Sequence, residues 1–336
     1  MKQTALRMAL AAVVAGTLSH AALAANEKIM LMVGGMEKQI YLPAKLAEQL
    51  GYFKEQGLDV ELVNEAAGVD AENELIAGQV QGVVGFYDHT IDLQSKGKFI
   101  ESVVQFSHTP GEVELIATRL ADKVKSPADF RGKTLGVTGL GSSTNFLTQY
   151  LAVSHGVPIS EVTSLPVGAG NSFIAALKQG KIDGGMTTEP TISRLVNTGD
   201  AKVLVDLRSP ESTQKWLGGM YPAASLYMQS SWVDAHKATT QKLANAFVKT
   251  LRFISTHSAE EIAAKMPADY YAGDKVAYVK ALEVGKFSFI PDGRMPESGP
   301  PTVLKVLSAF DKGVKGHSID LSKTYTTEFV AAVPAK

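Results

Sequence analysis

The order of hydrophobic and polar positions predicts alternating strands and helices at the start of the chain. An apolar run at 28–33 ends at two glycines, and apolar residues with helical spacing follow at Ile40, Ala44, Ala47 and Leu50. Residues 58–63 alternate between apolar and acidic side chains, which is typical of a half-buried strand. Together with a third apolar run after Gly82, this pattern predicts a β-α-β-α-β unit and a mostly parallel sheet.

One segment of the chain is repeated, in similar form, later in the sequence. Residues 75–88 are matched by residues 177–190, and each copy has the end of an amphipathic helix, a glycine and a short apolar run. Apolar runs at 134–137 and 162–167 precede the second copy. The pattern therefore predicts two similar α/β lobes. Ligands of open α/β sheets bind outside the carboxyl ends of the strands, so we expect a site at 85–88 and 187–190.

Helical patterns dominate the rest of the chain. They cover 237–256, 259–265, 275–285 and 302–312, with Gly273, Pro291, Pro300 and Pro301 between them. Helices without strands of their own need a sheet to pack on, so we expect this tail to return to the first lobe. The chain is predicted to cross from one lobe to the other near 114–118 and to cross back near 222–228. Lobe I then comprises 25–115 and 225–336, and lobe II comprises 116–224.

The first residues are typical of a signal peptide. Lys2 and Arg7 precede an uncharged run at 8–18, and Ala22-Leu23-Ala24 fits a cleavage site, so residues 1–24 are predicted to be removed. Without Lys2 and Arg7 the chain keeps 31 basic and 34 acidic residues, which gives no sign of a nucleic-acid partner. The absence of cysteine excludes disulfides, lipid attachment at a lipobox and a zinc-thiolate site. These features predict a periplasmic monomer without stable membrane insertion.

Four blocks of sequence resemble a known family. They are 50–60, 129–137 with Gly141-Ser142-Ser143, Ile182-Asp183, and Glu189-Pro190. In this order they are similar to the substrate-binding proteins of ABC importers of the nitrate, sulfonate and taurine type, also called the NMT1/THI5-like group. The resemblance implies a two-lobed periplasmic binding protein fold (type II-like) with a ligand cleft between hinged lobes. It also implies a small-molecule ligand and, as partners, an ABC permease and its ATPase.

The predicted helix start after Gly141 is the best candidate for ligand binding. Free backbone N–H groups, the helix dipole and the hydroxyls of Ser142, Ser143 and Thr144 would together favour anionic oxygens. Serine and threonine are also common N-caps, so a purely structural role stays open. Gly170 and Asn171 begin a second such helix, with the same two interpretations.

Further candidates follow the strands that end at the predicted cleft. They are Gly35 and Met36 after the first strand, Phe86, Tyr87 and Asp88 after the third, and Thr187, Thr188 and Glu189 in lobe II. Asp88 is also expected to cap the next helix. Glu189 either turns away to bond backbone or accepts a hydrogen bond from an N–H group of the ligand. Lys38 and Arg194 are expected on solvated helix faces.

The leading hypothesis is a binding protein for a small, anionic organic solute such as a sulfonate, carboxylate or nitrate-like anion. An aminopyrimidine ligand, a pyrimidine-synthesis enzyme of the THI5 type and a periplasmic sensor are the alternatives. The sequence has no G-x-S-x-G or H-E-x-x-H motif, Thr144 stands where a dinucleotide fingerprint needs its third glycine, and the histidines are scattered. We therefore expect no catalysis, no cofactor and no metal.

Overall fold

The computed structural model describes residues 27–271 and 273–335. The predicted signal peptide and its cleavage site lie outside these residues. Within these residues ten strands form two five-stranded sheets. The first sheet contains β1 (Glu27–Val33), β2 (Leu58–Asn64), β3 (Gly82–Phe86), β4 (Ile100–Gln105) and β10 (Ala224–Gln229). The second contains β5 (Glu112–Ala117), β6 (Thr134–Val137), β7 (Thr163–Pro166), β8 (Gly184–Thr188) and β9 (Ala201–Asp206).

The two sheets have the same topology. Their strand orders are β2-β1-β3-β10-β4 and β7-β6-β8-β5-β9. In each sheet four strands run in the same direction. The fifth strand, β10 in the first sheet and β5 in the second, lies between two of them and runs antiparallel to both. The repeated sequence segments form equivalent strands, since β3 and β8 occupy the same place in the order. The sheets are thus mixed, with a parallel majority.

Helices cover the faces of both sheets in the described part of the chain. Those between the strands are α1 (Leu42–Gln49), α2 (Tyr52–Glu55), α3 (Gly68–Ile76), α4 (Asp88–Ser95), α5 (Ser143–Ser154), α6 (Asn171–Lys178), α7 (Thr191–Asn197) and α8 (Pro210–Leu217). The tail adds α9 (Ser230–Ala235), α10 (Lys237–Thr256), α11 (Ala259–Ala263), α12 (Lys275–Gly285), α13 (Gly299–Ser308), α14 (Lys312–Gly316) and α15 (Glu328–Ala331).

The long helix α10 anchors the tail to the first lobe, as predicted. It packs against α1, α2 and β4, and it buries an apolar stripe that includes Leu243, Phe247, Leu251 and Ile254. The rings of Phe247 and Phe53 on α2 meet edge-on with centroids 5.3 Å apart. The tail also contacts the second lobe, through α13 against α5 and α12 against α7. The sequence did not predict these second contacts.

The first crossing between the lobes lies at 106–111, so its predicted position at 114–118 is wrong. Strand β5 is hydrogen-bonded to β8 on one side and β9 on the other, which makes it an interior strand of the second sheet. The second crossing is the link 207–223, which contains α8 and precedes β10. The lobe limits drawn at 115 and 224 stay predictions.

Candidate functional site

A small pocket lies where the strand ends of the two sheets face each other. Its walls come from both lobes: the loop after β1, the start of α3, the end of β3, the start of β5, the segment from the end of β6 to α5, and the end of β8. The residues that line it are Lys38, Tyr41, Gly68, Phe86, Glu112, Thr138, Ser142, Ser143, Thr144 and Thr188. This location agrees with the rule that open α/β sheets bind ligands at the carboxyl ends of their strands.

The start of α5 presents backbone donors to this pocket. Gly141 has φ +90°, which glycine adopts without strain, and it lets the chain turn into the helix. The first-turn N–H groups of Ser143 and Thr144 make no hydrogen bond within the described protein. Free N–H groups at a helix N-terminus favour anionic oxygens. The backbone of α5 is therefore the anion-binding part of this segment.

The hydroxyls at the start of α5 are already engaged, two of them with the first lobe. Ser142 Oγ accepts a hydrogen bond from the Val69 backbone N–H at 3.2 Å. Ser143 Oγ donates to Asp88 Oδ1 at 2.6 Å. Thr144 Oγ1 accepts from the Thr138 N–H and lies 2.9 Å from the Thr138 hydroxyl. Ser142 occupies the N-cap position without a side-chain cap bond. These side chains connect the lobes and fix the turn.

Asp88 has a different role from the predicted helix cap, and that prediction is wrong. It is the first residue of α4, and its carboxylate accepts hydrogen bonds from Ser143 and, at 2.8 Å, from the Tyr221 hydroxyl. The side chain is fully buried. Burial raises the pKa of Asp88 to about 6, although the hydrogen bonds from Ser143 and Tyr221 partly oppose the shift.

The second sheet contributes polar groups that lack partners. Glu112 on β5 lies directly opposite Thr188 on β8, and both side chains line the pocket. Glu112 Oε2 and Thr188 Oγ1 are buried without a hydrogen-bond partner in the described protein, as is Thr187 Oγ1. Burial raises the pKa of Glu112 well above its usual range. Buried polar groups are normally hydrogen-bonded, so the first two atoms are the best candidates for ligand contact.

Lys38 is buried in the site, so its predicted position on a solvated helix face is wrong. Its side chain folds back over Gly35, where a Cβ atom would collide with it. The ammonium group donates to the carbonyl oxygens of Gly34 at 2.5 Å and Ala66 at 3.4 Å. Burial lowers the pKa of Lys38. Lys38 thus places a cationic group at the pocket wall on the side of the first lobe.

The remaining predicted residues do not line this pocket. Gly35 makes room for Lys38, and the Met36 N–H donates to Asn64 at 2.6 Å. The Tyr87 hydroxyl bonds to Thr324, and the Gly141 N–H donates to Asn145. In lobe II the Gly170 N–H donates to Thr191, and Asn171 accepts from Arg194, which is half-buried. A role for these residues in ligand binding stays a prediction.

Glu189 turns to backbone and to an arginine. Its carboxylate accepts from the Ser193 N–H and forms an ion pair with Arg208, each at 3.0 Å. It lines a second cavity together with Gln39 and Gly111, which are the chain neighbours of Lys38 and Glu112 in the first pocket. The Gln39 N–H donates to the Glu189 carbonyl oxygen at 3.1 Å, a further bond between the lobes. The structure thus matches the first of the two interpretations of Glu189, in which its carboxylate hydrogen-bonds to the backbone.

Several residues of the site were missed in the sequence, namely Lys38, Tyr41, Gly68, Glu112, Thr138 and Tyr221. A signal existed for Glu112. It begins the alternating segment Glu112-Val113-Glu114-Leu115, which would place both acids on one face of a strand. The other residues carry no distinctive local pattern. Among the described residues no group of three or more His, Asp or Glu side chains could hold a metal ion.

Comparisons with known proteins agree with the sequence blocks. The model of the family "NMT1/THI5 like" matches residues 41–261. The chain belongs to the NMT1/THI5-like family. A solved protein of Bordetella bronchiseptica RB50 is 36% identical, with a TM-score of 0.87, and the match covers 90% of this chain and 96% of that one. The predicted family is therefore confirmed.

Two further matches concern fold and distant relatives. The periplasmic nitrate-binding protein NrtA of Synechocystis PCC 6803 is 13% identical, with a TM-score of 0.71 and coverage of 90% of this chain and 86% of NrtA. The match confirms the predicted periplasmic binding protein fold. A 4-amino-5-hydroxymethyl-2-methylpyrimidine phosphate synthase of Saccharomyces cerevisiae is 25% identical over 49% of this chain. The chain spans about half the length of the curated relatives it matches.

Proposed function

We propose that this protein is the periplasmic solute-binding component of an ABC importer and captures a small, anionic organic solute between its lobes. One observation carries the proposal. The free N–H groups of Ser143 and Thr144 and the unpartnered hydroxyl of Thr188 face one small pocket formed by both lobes. Its polar lining suits a sulfonate, carboxylate or nitrate-like group.

The charges around the pocket are compatible with an anion. Lys38 adds positive charge, and the dipole of the 12-residue helix α5 adds to it. Asp88 and Glu112 would repel an anion if both were ionised. Asp88, with a pKa of about 6, is ionised at neutral pH, and the hydrogen bonds from Ser143 and Tyr221 stabilise its charge. Burial raises the pKa of Glu112 well above its usual range and favours the neutral acid.

The contacts between the lobes support binding by closure. Ser143 with Asp88, Val69 with Ser142, and Gln39 with Glu189 link the two sides directly at the cleft. Hinged lobes that close around a solute would form these bonds together with the ligand contacts. The closed form would be presented to a permease and its ATPase. Within the described residues no helix is long and apolar enough to cross a membrane.

The alternatives have less support. The pyrimidine-synthesis branch of the family is associated with a cysteine-rich motif and iron, whereas this chain has no cysteine. Its yeast members match only about half of this chain, which also gives little support to an aminopyrimidine ligand. A role as a sensor would use the same pocket, and the neighbouring genes would distinguish it from transport.

Ligand titration of two matched variants tests the proposal. Nitrate, ethanesulfonate and propanoate serve as probes, first by thermal shift and then by calorimetry. Thr188→Val removes the hydroxyl that faces the pocket, and we expect it to cost about 1.5–3 kcal/mol, a roughly 10- to 150-fold rise in Kd. Thr187→Val is the control, because Thr187 also has an unpartnered hydroxyl but does not line the pocket. Failure of all three anions to bind, or equal affinity in both variants, would contradict the proposal.

A further inference from the structure

Glu112 is the one unpartnered carboxyl group that lines the pocket in the described protein. Its side chain is 2% exposed, and Oε2 has no hydrogen-bond partner. Its cross-strand neighbour Thr188 lines the same pocket with a free hydroxyl. Glu114, two residues along β5, also has a buried oxygen without a partner, Oε1, but its Oε2 accepts a hydrogen bond from Thr148 at 2.7 Å and the residue does not line the pocket. Of these two acids, Glu112 is the one that a ligand in the pocket could reach.

The groups around Glu112 make an ionised carboxylate costly at this position. The titratable and charged groups that face it are Lys38 and Tyr41 from the segment after β1, Asp88 from α4, Glu114 from β5, and Tyr221 from the link before β10. Lys38 is the one cation among them, and it donates to two backbone carbonyl oxygens. Two further carboxyl groups oppose a negative charge on Glu112. An uncompensated buried charge of this kind is unfavourable.

We propose that Glu112 determines specificity as a neutral acid whose O–H donates to the oxyanion of the bound solute, next to the hydroxyl of Thr188. This inference rests on the proposed function and deepens it, since it states which protonation state of the site selects an anion. The proton stays on Glu112 and the solute remains an anion, so no bond other than hydrogen bonds forms or breaks. Where the free protein holds Glu112 as a carboxylate, binding takes up one proton from solvent.

The sign of the pH dependence follows from this assignment. Burial raises the pKa of Glu112 well above its ordinary range, which favours the neutral acid. Affinity for an anion is then constant below the pKa that Glu112 has in the free protein. Above that pKa each further pH unit lowers affinity about tenfold, because one proton must be bound with the solute. A carboxylate that accepted a hydrogen bond from the solute would give the opposite trend.

The test compares Glu112→Gln with the wild type, using nitrate, ethanesulfonate and propanoate as separate probes. Ethanesulfonate keeps its charge from about pH 6 to pH 9, so any pH dependence comes from the protein. Glutamine keeps a neutral N–H donor, and we expect E112Q to bind within about threefold of wild type at pH 6 and to lose the decline towards pH 9. Calorimetry in buffers of different ionisation enthalpy should show proton uptake in the wild type at alkaline pH and none in E112Q. Glu114→Gln is the matched control and should retain the wild-type pH dependence.

Two results would overturn the inference while leaving the proposed function intact. In the first, E112Q binds anions with the same decline at alkaline pH as wild type, which assigns the titration to another group. In the second, E112Q loses more than about tenfold in affinity at pH 6 while wild-type affinity rises with pH, which makes Glu112 an ionised acceptor. If none of the three anions binds the wild type, the anionic proposal fails and this inference fails with it.

Discussion

Replacing Asp88 by asparagine should change how the stability of the protein depends on pH. The carboxyl group is fully buried and accepts hydrogen bonds from Ser143 and Tyr221. Burial raises its pKa from the ordinary 3.8 to about 6. A raised pKa means that the folded protein binds a proton more tightly than the unfolded chain. The stability contributed by that proton is fully present below about pH 4 and is lost as pH rises through about 6.

The size of this effect follows from the shift in pKa. A shift of about two units corresponds to about 3 kcal/mol in the free energy of unfolding, of which about 2 kcal/mol falls between pH 4.5 and pH 7.5. Asparagine has nearly the same shape, still accepts one hydrogen bond and does not titrate. We therefore expect Asp88→Asn to gain about 2 kcal/mol relative to wild type when pH rises from 4.5 to 7.5.

Urea unfolding at the two pH values measures this difference. Tryptophan fluorescence is a suitable signal, because Trp216 lies on α8 within the second crossing and Trp232 lies on α9, after β10. Other buried acids such as Glu114, whose pKa burial raises to about 8, titrate in both proteins and cancel in the comparison. An identical stability difference between wild type and D88N at both pH values would refute the reasoning.

Two further predictions concern lobe closure and packing. Ser143→Ala removes the donor to Asp88 across the cleft, and the loss of about 1.5–3 kcal/mol should shift the balance between closed and open forms about 10- to 150-fold towards open. Small-angle scattering should then show a larger radius of gyration than for wild type; an unchanged radius would mean that this bond does not limit opening. Gly185→Ala should destabilise the fold by more than about 2 kcal/mol, because its Cβ would collide with backbone atoms of Gly136 on the neighbouring strand. Gly316→Ala is the control with open space around it, and equal melting temperatures for the two variants would contradict the packing argument.

The repeated segment was predictable because its signals are local. A helical stripe, a glycine and an apolar run each reflect interactions over a few residues, and they correctly located α3 with β3 and α6 with β8. The helix start at Ser142 was equally readable, since a glycine followed by small polar residues favours a helix N-terminus. Family and fold followed from four such blocks in order. These parts of the prediction required no knowledge of which distant residues meet.

Tertiary structure decided the chemistry of the pocket. The burial of Lys38 depends on the space over Gly35 and on carbonyl groups from two loops, and no local pattern encodes that burial. Glu112 meets Thr188 only because β5 joins β8 in antiparallel register. The predicted crossing erred for the same reason, since an apolar strand does not reveal which sheet it joins. The sequence by itself determined the elements and their family, whereas long-range pairing determined which polar groups were left buried without partners to face a ligand.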